Sequence, residues 1–109
     1  MREFVLVKAF LVVLALAFTP MLAQAKSVWI DVRTEAEHRL NHIDGDPLIP
    51  HNVIVERVTE RFPDTNAEIN LYCRSGNRAG KAKSALESAG YTNVKNMGSV
   101  AEARHARDL

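Results

Sequence analysis

From residue 26 onward the chain predicts an α/β fold, a central, mainly parallel sheet with helices on both faces. Short apolar and β-branched runs alternate with stretches of helical periodicity, and such alternation implies parallel strands joined by helical crossovers. The runs are nearly continuous in apolar residues, as strands covered on both faces require. They also end in polar residues, so chemistry is delivered at their carboxyl ends.

The elements follow in order. Ser27-Val28-Trp29-Ile30 is a buried strand that runs into Asp31-Val32-Arg33. Thr34 and Glu37 form a capping box, and the helix they open extends to about Leu40, with Ala36 and Leu40 expected on its inward face. Asp44-Gly45-Asp46-Pro47 is turn chemistry, and Leu48-Ile49 before Pro50 leaves room for a very short strand. From Asn52 a second helix places Ile54, Val55, Val58 and Phe62 on one face, and Pro63 stops it. Ile69-Asn70-Leu71-Tyr72 is the next strand. It leads into Cys73-Arg74-Ser75-Gly76-Asn77-Arg78 and then a longer helix with Ala79, Ala82, Leu86 and Ala89 inward and Gly90 as its C-terminal cap. A strand at about residues 92–95 and a short helix after Ser99 complete the pattern.

The chain has 109 residues and a net charge of +1, but its first 25 residues read as a removable export signal. Residues 1–8 carry Arg2 and Lys8, residues 9–18 are apolar throughout, and Pro20 precedes Ala23-Gln24-Ala25, where cleavage before Lys26 is expected. The rival is an uncleaved anchor, but the apolar run falls short of the roughly 20 residues that a bilayer span needs. Two of the 14 basic residues and one of the 13 acidic ones lie in this segment, so residues 26–109 balance at twelve of each. A neutral domain gives no electrostatic reason to expect nucleic acid or an anionic membrane as partner. Residues 26–109 are expected to form one domain, without stable membrane association after cleavage. An exported domain with one cysteine, Cys73, holds a thiol in an oxidising compartment, and that thiol is either a buried small hydrophobe or a reactive group.

Position favours reactivity. Cys73 stands at the carboxyl end of a strand, where open α/β sheets bind ligands. Ser75, Gly76 and Asn77 can turn tightly into the helix, so backbone N–H groups should converge above the sulfur and bind an anion. With Arg74 and Arg78 nearby, that field favours thiolate over thiol without a neighbouring histidine.

Tyr72-Cys73-Arg74-Ser75-Gly76-Asn77-Arg78-Ala79 resembles the active-site loop of the rhodanese family, the sulfurtransferases. Trp29-Ile30-Asp31-Val32-Arg33, His42-Ile43-Asp44-Gly45 with Ile49-Pro50, Gly90-Tyr91-Thr92-Asn93-Val94 and Asn96-Met97-Gly98-Ser99 are similar to the family's other segments, in order and with family spacing. The whole pattern most resembles the short periplasmic single-domain rhodaneses. The resemblance implies that Cys73 takes sulfane sulfur from a small anionic donor such as thiosulfate and passes it as a persulfide to a thiophilic acceptor, cyanide in the laboratory. It implies no cofactor. Backbone N–H groups from Arg74 to Arg78, through Ser75, Gly76 and Asn77, would hold the persulfide charge. Arg74 would steer the donor, and Arg78 would either steer or brace the loop from behind. Asn41 stands where the family usually has Gly, and Asp46-Pro47-Leu48 replaces Ala-x-Asn, so the local turn departs from the pattern.

Asp31 and Arg33 read as a structural pair more readily than as catalysts. His38, His42, His51 and His105 lack metal-ligand spacing, so no metal site is expected. Trp29 reads as core or cleft wall, and Arg78, Lys81 and Lys83 fit a donor-attracting cluster and a solvated face equally. Three functions compete: an exported thiosulfate sulfurtransferase, a sulfane-sulfur carrier that docks on a partner protein, and a cysteine phosphatase or arsenate reductase. The last usually has one more residue than the four between Cys73 and Arg78.

Overall fold

The computed structural model describes residues 27–109, and the expected signal segment lies outside them. Strands β1 (Ser27–Asp31), β2 (Glu68–Cys73) and β3 (Val94–Ser99) form a parallel sheet in that order. Leu48 adds a parallel bridge to Asp31 at the β1 edge, which is all that remains of the short strand before Pro50. The helices are α1 (Glu35–Leu40), α2 (Ile54–Arg61, entered through a 3-10 turn at His51–Val53), α3 (Asn77–Ser88) and α4 (Val100–Ala106).

Alternation along the strands builds a core on each face of the sheet. Ile30, Ile69, Leu71 and Cys73 pack with Ile54 and Val58 of α2 and with Ala79, Ala82 and Leu86 of α3. On the other face Tyr72, Ile43 and Ala103 of α4 are buried, with Trp29, Met97 and Val100 packed against them. Helices therefore cover both faces, as expected.

Capping holds the helix ends in register. Thr34 and Glu37 make the expected box on α1, and Ser99 and Glu102 make a second on α4. A cap of this kind contributes about 1 kcal/mol. Helix α3 closes through Gly90 at φ +102, with the Tyr91 N–H bonded to the Leu86 carbonyl and the Gly90 N–H to that of Glu87, both at 3.0 Å.

Three details differ from the expectation. Ala36 and Leu40 do not face inward: α1 buries no residue, and Leu40 is 88% exposed, because this helix lies beyond the sheet and is held by polar contacts. Ala89 is exposed, and Tyr91, turned back by Gly90, joins the core instead. The last strand starts at Val94 and runs to Ser99. Thr92 is spent on the turn, bonding the Thr65 carbonyl through its N–H at 3.0 Å and the Asn66 side chain through its hydroxyl at 2.9 Å.

Between Leu71↔Asn96 and Cys73↔Ser99 the register of β2 and β3 shifts, because β3 carries one extra residue there. Gly98, at φ +82, lies in this bulge. The bulge brings β3 against the loop that follows Cys73.

Candidate active site

Cys73 is the last residue of β2, points to the face covered by α3, and is fully buried. The loop rises from it, turns at Gly76 with φ +93, and enters α3 at Asn77. A left-handed φ of this kind is costly for any residue with a Cβ. A Cβ at Gly76 would also come within 3.3 Å of Gly98 Cα, so two glycines let the loop and the bulge touch.

The Gly76 N–H donates to Cys73 Sγ at 3.0 Å. Burial pushes the Cys73 thiol up, but the backbone N–H groups of Ala79, Ser75, Gly76 and Arg78 outweigh it and leave the thiol below its ordinary value. These donors belong to the loop and the first turn of α3, where the helix end already favours a negative charge. The sulfur therefore sits in a ring of fixed dipoles suited to a thiolate, or to the terminal sulfur of a persulfide.

The expected neighbours divide by partner. Arg78 is tied to Glu37 of α1, Nη1 to Oε1 at 2.5 Å and Nη2 to Oε2 at 2.8 Å. That fork holds the Glu37 carboxyl down to about 2. Of the two roles open to Arg78, bracing fits its contacts. Arg74 is exposed, and among the described residues it has no ion-pair partner. It borders a cleft of about 530 Å³ lined also by Arg33, Glu37, Leu40, Asn41, Val100 and Ala101. Ser75 and Gly76 face a second cleft of about 780 Å³, with Asn96, Gly98, Glu102 and His105 on its far wall. Asn77 opens α3 with its side chain exposed.

Asp31 and Arg33 are joined at 2.9 Å and almost fully buried. Arg33 spends its remaining donors on the Asn41 side chain at 3.1 Å and carbonyl at 2.7 Å. This pair fixes the loop after α1. The residue that departs from the family pattern, Asn41, is thereby part of the anchor. Asp46, the other departure, accepts from the Tyr72 hydroxyl at 2.7 Å and from Arg107 at 2.7 and 3.0 Å. The Arg107 guanidinium in turn lies 4.4 Å from the centroid of the Trp29 ring. Both departures thus serve the scaffold around the loop. Among the described residues no group of three or more His, Cys, Asp or Glu side chains could hold a metal ion.

Glu37 and Asn96 were not singled out as site residues from sequence. Asn96 Nδ2 donates to the Gly76 carbonyl at 2.9 Å, and its Oδ1 accepts from the Gly98 N–H at 3.0 Å. Glu37 was legible only as a capping residue, and Asn96 only as part of a resembling segment.

Comparison with known proteins agrees with this geometry. The profile of the rhodanese-like domain matches residues 17–102. The thiosulfate sulfurtransferase PspE of Escherichia coli (strain K12) is 37% identical over 90 residues, 83% of this chain and 86% of that protein. A sulfurtransferase of Allochromatium vinosum is 36% identical over 78 residues, 70% of this chain and 71% of that one. Among solved structures, a rhodanese with anions from E. coli matches with a TM-score of 0.66 at 36% identity, covering 70% of this chain and 89% of the other. With profile, sequence and fold in agreement, the chain belongs to the rhodanese family and is a sulfurtransferase.

Proposed function

We propose that this chain is an exported, periplasmic thiosulfate sulfurtransferase that works through a persulfide on Cys73. The observation that carries the proposal is the ring of backbone N–H groups that holds the Cys73 thiol below its ordinary value. The Cys73 thiolate attacks the outer sulfur of thiosulfate. A new S–S bond forms at Sγ, the bond between the two thiosulfate sulfurs breaks, and sulfite leaves with that electron pair. The negative charge now rests on the terminal sulfur of the persulfide, and the N–H groups of Ser75, Gly76, Arg78 and Ala79 are placed to hold it. A thiophilic acceptor such as cyanide then takes the outer sulfur, and the thiolate departs with the bonding pair. Arg74 is free to attract the anionic donor, because no carboxylate among the described residues neutralises it.

Export rests on residues 1–25, whose charged start, apolar run and small-residue end make a cleavable signal before Lys26. The remaining chain, residues 26–109, is the single working domain. No helix among the described residues is long and apolar enough to cross a membrane.

Delivery of the sulfur to a partner protein is the second reading, and one observation favours it. Leu40, 88% exposed, stands on the rim of the Arg74 cleft, where an acceptor surface could cover it.

The test is the intact mass of residues 26–109 after incubation with thiosulfate. The wild type should gain one sulfur, and cyanide should remove it. Cys73→Ser should gain none while melting normally. A wild type that gains nothing, or a serine variant that still transfers sulfur, would defeat the proposal.

A further inference from the structure

Two side chains outside the Cys73 loop grip it at opposite ends. At one end Asn96 Nδ2 donates to the Gly76 carbonyl at 2.9 Å, and the N–H of Gly76 donates to Cys73 Sγ at 3.0 Å. The other end of the Asn96 amide is bonded to the Gly98 N–H at 3.0 Å, so one side chain ties the loop to the β3 bulge. At the far end Glu37 takes both terminal nitrogens of Arg78. Glu37 Oε1 is itself fixed by the Thr34 N–H at 3.2 Å and the Thr34 hydroxyl at 3.0 Å. Burial does not force these contacts. Asn96 is exposed and Glu37 is only half-buried, so water could satisfy either one. Both nevertheless turn their polar ends onto the loop.

We infer that Glu37 and Asn96 are positioning residues for sulfur transfer, clamping the loop at Gly76 and the first turn of α3 so that the N–H groups there stay aimed at the Cys73 sulfur. The inference rests on the proposed thiolate chemistry of Cys73. Aim matters because a hydrogen bond weakens steeply as it bends, and donors fixed in advance need no reorganisation when charge arrives. Asn96 reaches the loop from β3 and Glu37 from α1, so the two clamps act from independent elements. Arg74 belongs to neither. Loss of a clamp should therefore slow the chemical step and leave capture of the donor unchanged.

Cys73 is the one cysteine of the chain, so the ultraviolet absorbance of its thiolate, with Cys73→Ser as blank, follows its titration without any turnover. The charged and titratable groups around it are Arg74 and Arg78 of the loop, Asp31 and Arg33 at the end of β1, Glu37 of α1, and Glu102 and His105 of α4 across the cleft from Ser75 and Gly76. In Glu37→Gln and Asn96→Ala the titration midpoint should rise by about one pH unit, the size of one hydrogen bond to a charged group. Transfer from thiosulfate to cyanide should show kcat reduced about tenfold, with KM changed by less than about twofold. Melting curves come first, and Glu37→Asp or Asn96→Ser replaces any variant that is unfolded at the assay temperature. An unmoved midpoint in either folded variant overturns the role of that residue. A lowered midpoint in Glu37→Gln does so too, since the carboxylate would then only be offsetting the charge of Arg78. If the midpoints rise although the wild type gains no sulfur from thiosulfate, the clamp stands and the thiosulfate reading falls.

Discussion

In the proposed mechanism Arg74 and Cys73 divide the work at the scale of single residues. Arg33, which lines the same cleft as Arg74, is neutralised by Asp31, and Arg78 by Glu37, so under the proposal the attraction of an anion falls to Arg74. Arg74→Ala should raise KM for thiosulfate about tenfold with little change in kcat, the equivalent of one charge-assisted contact. Added salt should reproduce part of that loss in the wild type, and steady-state kinetics at two ionic strengths would measure both. If kcat falls and KM does not move, Arg74 shapes the loop and does not capture the donor. For Cys73 the sign of the pH dependence follows from its surroundings. The nucleophile is the deprotonated form, and the N–H ring holds the thiol below its ordinary value. Activity should thus persist as pH falls through the ordinary thiol range near about 8.5, and decline only below it. A profile of kcat/KM against pH with its acid limb at or above that range would show that the ring does not stabilise the thiolate.

At the scale of elements, the β3 bulge decides how the loop is supported. The extra residue lets Gly98 swing against Gly76 and lets Asn96 bond both of them. Gly98 itself has φ +82, and a Cβ there would lie 2.7 Å from the Glu102 carboxylate. Gly98→Ala should therefore lower stability by about 1 to 2 kcal/mol from the backbone alone. It would also push Glu102 off its capping bond to the Ser99 N–H, now 3.3 Å. A thermal melt should show Tm several degrees lower; an unchanged Tm would mean that the bulge relaxes freely. Helix α1 is a different case. Its six residues bury nothing, and it is joined to α3 through Glu37 and Arg78. The periodicity of Ala36 and Leu40 suggested an apolar contact, because spacing identifies a shared face without saying whether anything packs against it.

For the molecule as a whole, the sheet carries one core on each side, and the N-terminal half is linked to the C-terminal helix by Tyr72, Asp46, Arg107 and Trp29. Burial and the Asp46 carboxylate hold the Tyr72 phenol far above its usual range, so it stays a neutral donor in that network. If residues 1–25 are a cleaved export signal, N-terminal sequencing of exported protein should read from Lys26; intact Met1 in the membrane fraction would contradict cleavage. Much of this was readable from the chain alone. The strand-to-helix alternation, the capping box of Thr34 and Glu37, and the cap at Gly90 are set by neighbours in sequence, where steric and hydrogen-bonding preferences act over a few residues. The Cys73 loop was legible for the same reason, since a strand end, tight-turning residues and a helix start lie in one continuous segment. Only the tertiary structure decided that Glu37, 41 positions before Arg78, would brace it, that Asn96 would hold Gly76 from 20 positions away, and that Asn41 and Asp46 would become anchors. Such contacts depend on the strand register and on a one-residue bulge, which arise when distant segments pack and leave no local signal in the order of the residues.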